Sequence, residues 1–128
     1  MEERFKVIII EHEENVRQGL MAVFEHHHFD VEATDNAASG YEKACSGEFD
    51  LLLLDARMSE MDAFKICADV RAQLPRQVIF MLTADSDNQA LIDGLTHGAD
   101  DYTSVPFAYT DLVQRVKALL RRTRLQNK

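Results

Sequence analysis

Four consecutive leucines, Leu51 to Leu54, run straight into an acid, Asp55. No other feature restricts the fold of this chain as strongly. A short apolar run closed by a carboxylate reads as a buried central strand that delivers the acid to the C-terminal edge of a sheet, where ligands bind in open α/β folds. An acid in this place also serves as a helix cap or a turn residue, so the rest of the chain has to decide.

Two more apolar runs, Val7 to Ile10 and Val78 to Leu82, read as buried parallel strands. Asp30 to Thr34 and Asp101 to Ser104 are weaker strand candidates. Helical patterns lie between them. Val16, Leu20, Val23 and Phe24 share a face of the first; Ala37, Ala38, Tyr41 and Cys45 of the second; Phe64, Cys67, Ala68 and Val70 of the third, which must end before Pro75. Leu91, Ile92 and Leu95 mark a fourth, and Leu112, Val116, Leu119 and Leu120 a fifth. Gly47 and Gly98 suit helix C-termini, and Ser86 and Thr110 suit N-caps. The order is a strand–helix unit repeated five times. Its fold class is α/β, a five-stranded parallel sheet with helices on both faces in three layers.

With 128 residues, the chain has room for one domain with a real core. Residues 1–122 read as that domain and 123–128 as a C-terminal tail or the start of a linker, whether a true terminus or the cut edge of something longer. Apolar residues make up 46% and charged ones 28%, which is globular composition. No run reaches membrane-spanning length and the first residues do not resemble a signal peptide, which points to a cytoplasmic protein. Cys45 and Cys67 sit at apolar helix positions and read as buried thiols. A net charge of −8 argues against nucleic-acid binding by this domain. The basic residues after Asp111 suit the end of a last helix, and His26-His27-His28 suits the end of the first.

All the residues that follow the strands gather at one sheet edge: Glu11, His12, Glu13 and Glu14; then Asp55; then Thr83 and Ala84; then Val105-Pro106-Phe107. Two carboxylates, an imidazole and a hydroxyl from three loops make a site. Here the chain resembles, over essentially its whole length, the receiver domain of two-component response regulators. The segment from Leu51 through Asp55 and Asp62 to Phe64 is similar to the stretch around a phospho-accepting aspartate. Val78 to Ala84 is similar to the strand ending in a switch threonine, and Gly98 to Phe107 to the fifth strand with its proline turn.

The resemblance implies a flavodoxin-like fold, with Asp55 as phosphoryl acceptor, Thr83 and Tyr102 as switch residues and a small Ala84 permitting access. Such receivers take a phosphoryl group from a sensor histidine kinase, and the transfer relies on charge neutralisation. A magnesium ion, held here by Glu11, His12, Asp55 and the Arg57 backbone carbonyl, and a lysine before the Pro-Phe turn would supply that charge.

This chain departs at both sources. His12 replaces the second acid, a poor magnesium ligand that manganese or zinc tolerates better. Val105 stands at the lysine position. Each oriented charge is worth roughly 3 kcal/mol of transition-state stabilisation, so losing both makes phosphorylation slow or absent. Arg57 reads as an exposed loop residue, with folding back onto Asp55 as the other option. His12 reads as a remnant of an abandoned metal site or, protonated, as a second resident cation. Ser59-Glu60 and Ala63 also depart from the receiver pattern.

Receivers with a winged-helix DNA-binding output, which this chain resembles, often dimerise through the fourth helix, fifth strand and fifth helix. By position, Asp101 would pair with Arg115 and Asp100 with Arg122 across a two-fold axis, while Leu91 breaks a third pair with Asp111. These are ordinary surface charges otherwise. Three readings follow: an atypical receiver acting by protein–protein interaction, a working phospho-acceptor using an unusual metal or Arg57, and a flavodoxin-like hydrolase or binding protein. The last lacks a Gly-rich phosphate loop.

Overall fold

The computed structural model describes residues 4–57, 63–84, 95 and 97–126. Its strands are β1 (Lys6–Ile10), β2 (Asp30–Thr34), β3 (Leu51–Asp55), β4 (Val78–Ala84) and β5 (Asp101–Val105). Its helices are α1 (Glu14–His26), α2 (Ala37–Ala44), α3 (Ala63–Gln73) and, after β5, α4 (Tyr109–Gln126). The strands form one parallel sheet in the order β2-β1-β3-β4-β5. All five predicted strands are present. Four of the five predicted helices are described; the segment of Leu91 and Ile92, with Ser86, lies outside the described residues. Leu95, from that segment, is 46% exposed rather than buried.

Strand alternation divides the core in two. Val7, Ile9, Leu51, Leu53, Phe80 and Leu82 face one side, where Leu20 and Phe24 of α1 and Leu112, Val113, Val116 and Leu120 of α4 cover them. Ile8, Ile10, Leu52, Leu54, Ile79 and Met81 face the other, under Ala37 and Ala44 of α2 and Ile66, Cys67 and Val70 of α3. Central strands buried on both faces must be apolar throughout, which is why β1, β3 and β4 read as unbroken runs.

Some sequence expectations shift in phase. Ala38 is exposed, and Gly40 and Ala44 take the buried face of α2 instead. Cys67 is buried but Cys45 only half-buried; both thiols are free. Burial pushes the Cys67 thiol up to about 11. Thr110 is not a cap, because α4 begins one residue earlier, at Tyr109. Asn36 caps α2, its side chain accepting the Ser39 N–H. Gly47 and Gly98 both adopt positive φ, as their predicted places at helix ends require. At the end of α1, Lys117 Nζ lies 3.0 Å from His27 Nδ1, within hydrogen-bond distance.

Candidate functional site

The sheet edge at the ends of β1 and β3 holds two acids side by side. The β1 ladder continues one residue beyond the strand, with the Glu11 N–H donating to Thr34 O at 3.0 Å. Asp55 is the last residue of β3. Both carboxyl groups are fully buried.

Arg57 folds back onto Asp55. Its backbone N–H donates to Asp55 Oδ1 at 2.8 Å, its Nε to the same oxygen at 3.0 Å, and its Nη2 to Oδ2 at 3.0 Å. Only a quarter of the side chain is exposed. The expectation of an exposed loop arginine is therefore corrected. The physical reason is that a fully buried carboxylate needs a countercharge, and the turn after β3 already aims residue 57 at it. Burial opposes the Arg57 charge, but the Asp55 bonds and charge outweigh it and raise its pKa.

Glu11 is less well served. Its Oε1 accepts the Glu13 N–H at 3.0 Å and lies 3.8 Å from Arg57 Nη2 and 3.6 Å from His12 Nδ1. Its Oε2 is buried with no hydrogen-bond partner. Burial first, then the neighbouring Asp55, pushes the Glu11 carboxyl from 4.5 up to about 8. His12, 44% exposed, sits 3.7 Å from Asp55 Oδ2 and is an ion-pair partner only when protonated. Arg17 Nη1 donates to the Glu11 carbonyl at 3.2 Å and steadies this loop.

Glu11, His12 and Asp55 each offer a ligand atom within 4.8 Å of the others, the one such cluster among the described residues. The donor set does not fit magnesium. One of three ligands is an imidazole where octahedral oxygen is required. Both Asp55 oxygens are also engaged by the guanidinium, which reaches towards Glu11 as well.

Along the same edge, Thr83 is buried one residue beyond Leu82, the register partner of Asp55. Ala84 ends β4 opposite Val105, and Val105 is half-buried. Tyr102, opposite Met81, packs half-buried against the α2–α3 side of the core. On the far side, Asp101 pairs with Arg115 at 2.8 Å within the chain, and Arg115 also donates to Tyr102 O. Asp100, expected opposite Arg122, is instead taken by Arg71 of the same chain at 2.8 Å. Arg71 was missed in the sequence. Its signal was a basic residue in the last turn of α3, placed to bond free carbonyls, as it does with Pro75 O and Gly98 O. Leu91 lies outside the described residues.

A profile of the response regulator receiver domain matches residues 7–117. The chain belongs to this family. Its curated relatives include the response regulator ArlR of Staphylococcus saprophyticus subsp. saprophyticus, 35% identical over 122 residues, covering 95% of this chain and 55% of that protein. ArlR of Staphylococcus aureus (strain Mu50) is 33% identical over 117 residues, covering 91% and 53%. The receiver chain thus spans about half the length of these curated relatives. Among solved structures, a CheY-like receiver domain protein from Methanospirillum hungatei JF-1 superposes with a TM-score of 0.90 at 20% identity, covering 97% of this chain and 99% of that one. A two-component response regulator from Clostridium difficile gives 0.85 at 27% identity, covering 93% and 98%. The flavodoxin-like receiver fold and the two-component family read from the sequence are both borne out. No helix among the described residues is long and apolar enough to cross a membrane.

Proposed function

We propose that this receiver works in cytoplasmic phosphorelay signalling as an interaction module, with Asp55 at the phosphoacceptor position but weakly phosphorylated or not at all. The observation that carries this reading is the bidentate Arg57–Asp55 pair: the oxygens that would attack a phosphoryl group are buried and already bonded. Val105 adds to it, since valine brings no cation to the lysine position. The domain is then not an enzyme beyond any self-catalysed transfer onto Asp55. Its partners are a sensor histidine kinase or another signalling protein, with no nucleic acid bound by residues 1–122.

Intact mass after incubation with a small phosphodonor tests the reading, with and without magnesium or manganese and with Asp55→Asn as control. No adduct supports it. An adduct that the control loses supports the second reading, a working acceptor that uses an unusual divalent metal or Arg57 as its cation. The retained Thr83, Ala84 and Tyr102 favour that alternative.

Dimerisation belongs to the same proposal, through Asp101, Arg115 and the neighbouring Leu91, Asp100, Asp111 and Arg122. The Asp101–Arg115 pair is available to swap between copies, whereas Asp100 is committed to Arg71. Arg115→Glu should weaken a dimer, and unchanged sedimentation would count against this face.

A further inference from the structure

We propose that Arg57 is a built-in replacement for the divalent cation of this receiver, so that the wild-type site carries its cation within the chain and excludes magnesium. The inference rests on the reading of this edge as the receiver's acceptor site. It does not depend on whether Asp55 is phosphorylated.

Three geometric observations carry it. The guanidinium makes two parallel contacts of 3.0 Å to opposite oxygens of a carboxylate that solvent does not reach. A planar fork matched to both oxygens is the strongest pairing a side chain offers a carboxylate. The same Nη2 lies 3.8 Å from Glu11, so one cation sits between the two acids whose convergence would otherwise invite a metal. The fork is also held in place before the side chain begins, because the Arg57 N–H is bonded to Asp55 Oδ1. Little conformational freedom remains to be lost on forming the pair.

An incoming divalent ion would meet a poor bargain. It would have to displace both Asp55 contacts and strand a partly buried guanidinium. It would gain in return two carboxyl groups that the guanidinium already faces and an imidazole. Magnesium dehydrates reluctantly and prefers oxygen, so it gains least from this set. Removing Arg57 inverts the balance. Asp55 and Glu11 would then lose their guanidinium partner, and a divalent ion becomes the natural occupant, manganese ahead of magnesium because His12 contributes nitrogen.

Thermal unfolding of the wild-type chain and of Arg57→Gln, each titrated with magnesium or manganese chloride, tests this. NMR line-broadening of amides around Asp55 by manganese provides a second readout. The wild type should show no metal-dependent rise in Tm and no selective broadening. Arg57→Gln should melt lower without metal and recover roughly 5 °C as the ion reaches about ten times its Kd. Selective broadening around Asp55 in the wild type at low manganese would overturn the proposal by itself, even if the variant failed to fold. So would a folded variant with wild-type stability and no gain in ion response. A phosphoryl adduct on the metal-free wild type would sink the weak-phosphorylation reading while leaving this inference intact.

Discussion

Arg71 and Asp100 meet at an oxygen that the sheet also uses: Asp100 Oδ2 accepts Arg71 Nη2 and the Ile79 N–H, each at 2.8 Å. One carboxylate thereby ties the end of α3 to the start of β4. The guanidinium also holds the Gly98 carbonyl through Nε at 3.0 Å and Nη2 at 2.6 Å, which fixes the entry to β5. Arg71→Ala should destabilise the fold by about 1–3 kcal/mol, mostly through the carbonyl bonds, because the ion pair itself is partly exposed and screened. Urea denaturation checks this. An unchanged midpoint would mean that water replaces those bonds without loss.

Stability should fall as pH rises from about 5 to about 8, and Glu11 should be the cause. Its proton is bound more tightly in the fold than in the unfolded chain, about 8 against 4.5. Its stabilising contribution is then complete below 4.5 and is lost as pH rises through about 8, by something on the order of a few kcal/mol. Glu11→Gln keeps the shape of the neutral acid and should flatten this part of the profile. Parallel Tm–pH curves for the two proteins would refute the assignment.

Gly40→Ala should destabilise, although alanine is the better helix former. A Cβ at position 40 would lie 2.6 Å from Cγ1 and 2.7 Å from Cδ1 of Ile10, and 3.0 Å from Thr34 Cγ2. Ile10 is fully buried and has little room to withdraw. Overpacking of about 1–3 kcal/mol outweighs the propensity gain of about 1 kcal/mol. A higher midpoint in chemical denaturation would show that α2 moves away from β1 more easily than this packing implies.

Restoring the missing lysine should help phosphorylation only once Asp55 is released. Val105→Lys alone leaves both acceptor oxygens bonded and adds a second cation near the first. Combined with Arg57→Ala it should raise the yield of phosphoryl adduct from a small phosphodonor by roughly tenfold or more. Intact mass measures it. Equal adduct in the single and double variants would show that Arg57 does not obstruct the acceptor.

The sheet was legible because strands buried on both faces cannot conceal their apolar runs, and β1, β3 and β4 follow that rule. The phase of α2 was not, because Gly40 carries no hydrophobic signal and is small for the sake of Ile10. The convergence of Glu11, His12 and Asp55 followed from strand order. The choice made by Arg57 did not, since it depends on how completely Asp55 is buried and on what else supplies charge there. For Asp100 the sequence reading offered Arg122 alone, and spacing along the chain could not point to Arg71 instead. The folded approach of α3 to Gly98 does.

The register of β1 against β3 pairs Ile10 with Leu54, so the next rung of the ladder sets Glu11 beside Asp55. Their backbones stand one strand spacing apart, about 4.8 Å, and no rotation of either side chain can take the two acids out of each other's field. Repulsion between them is thus a property of the sheet, present before any loop is drawn. It has few remedies: a proton, a fixed organic cation or a captured inorganic one. Exchanging one remedy for another requires changes only in the loops, which leaves the strands free to stay as they are.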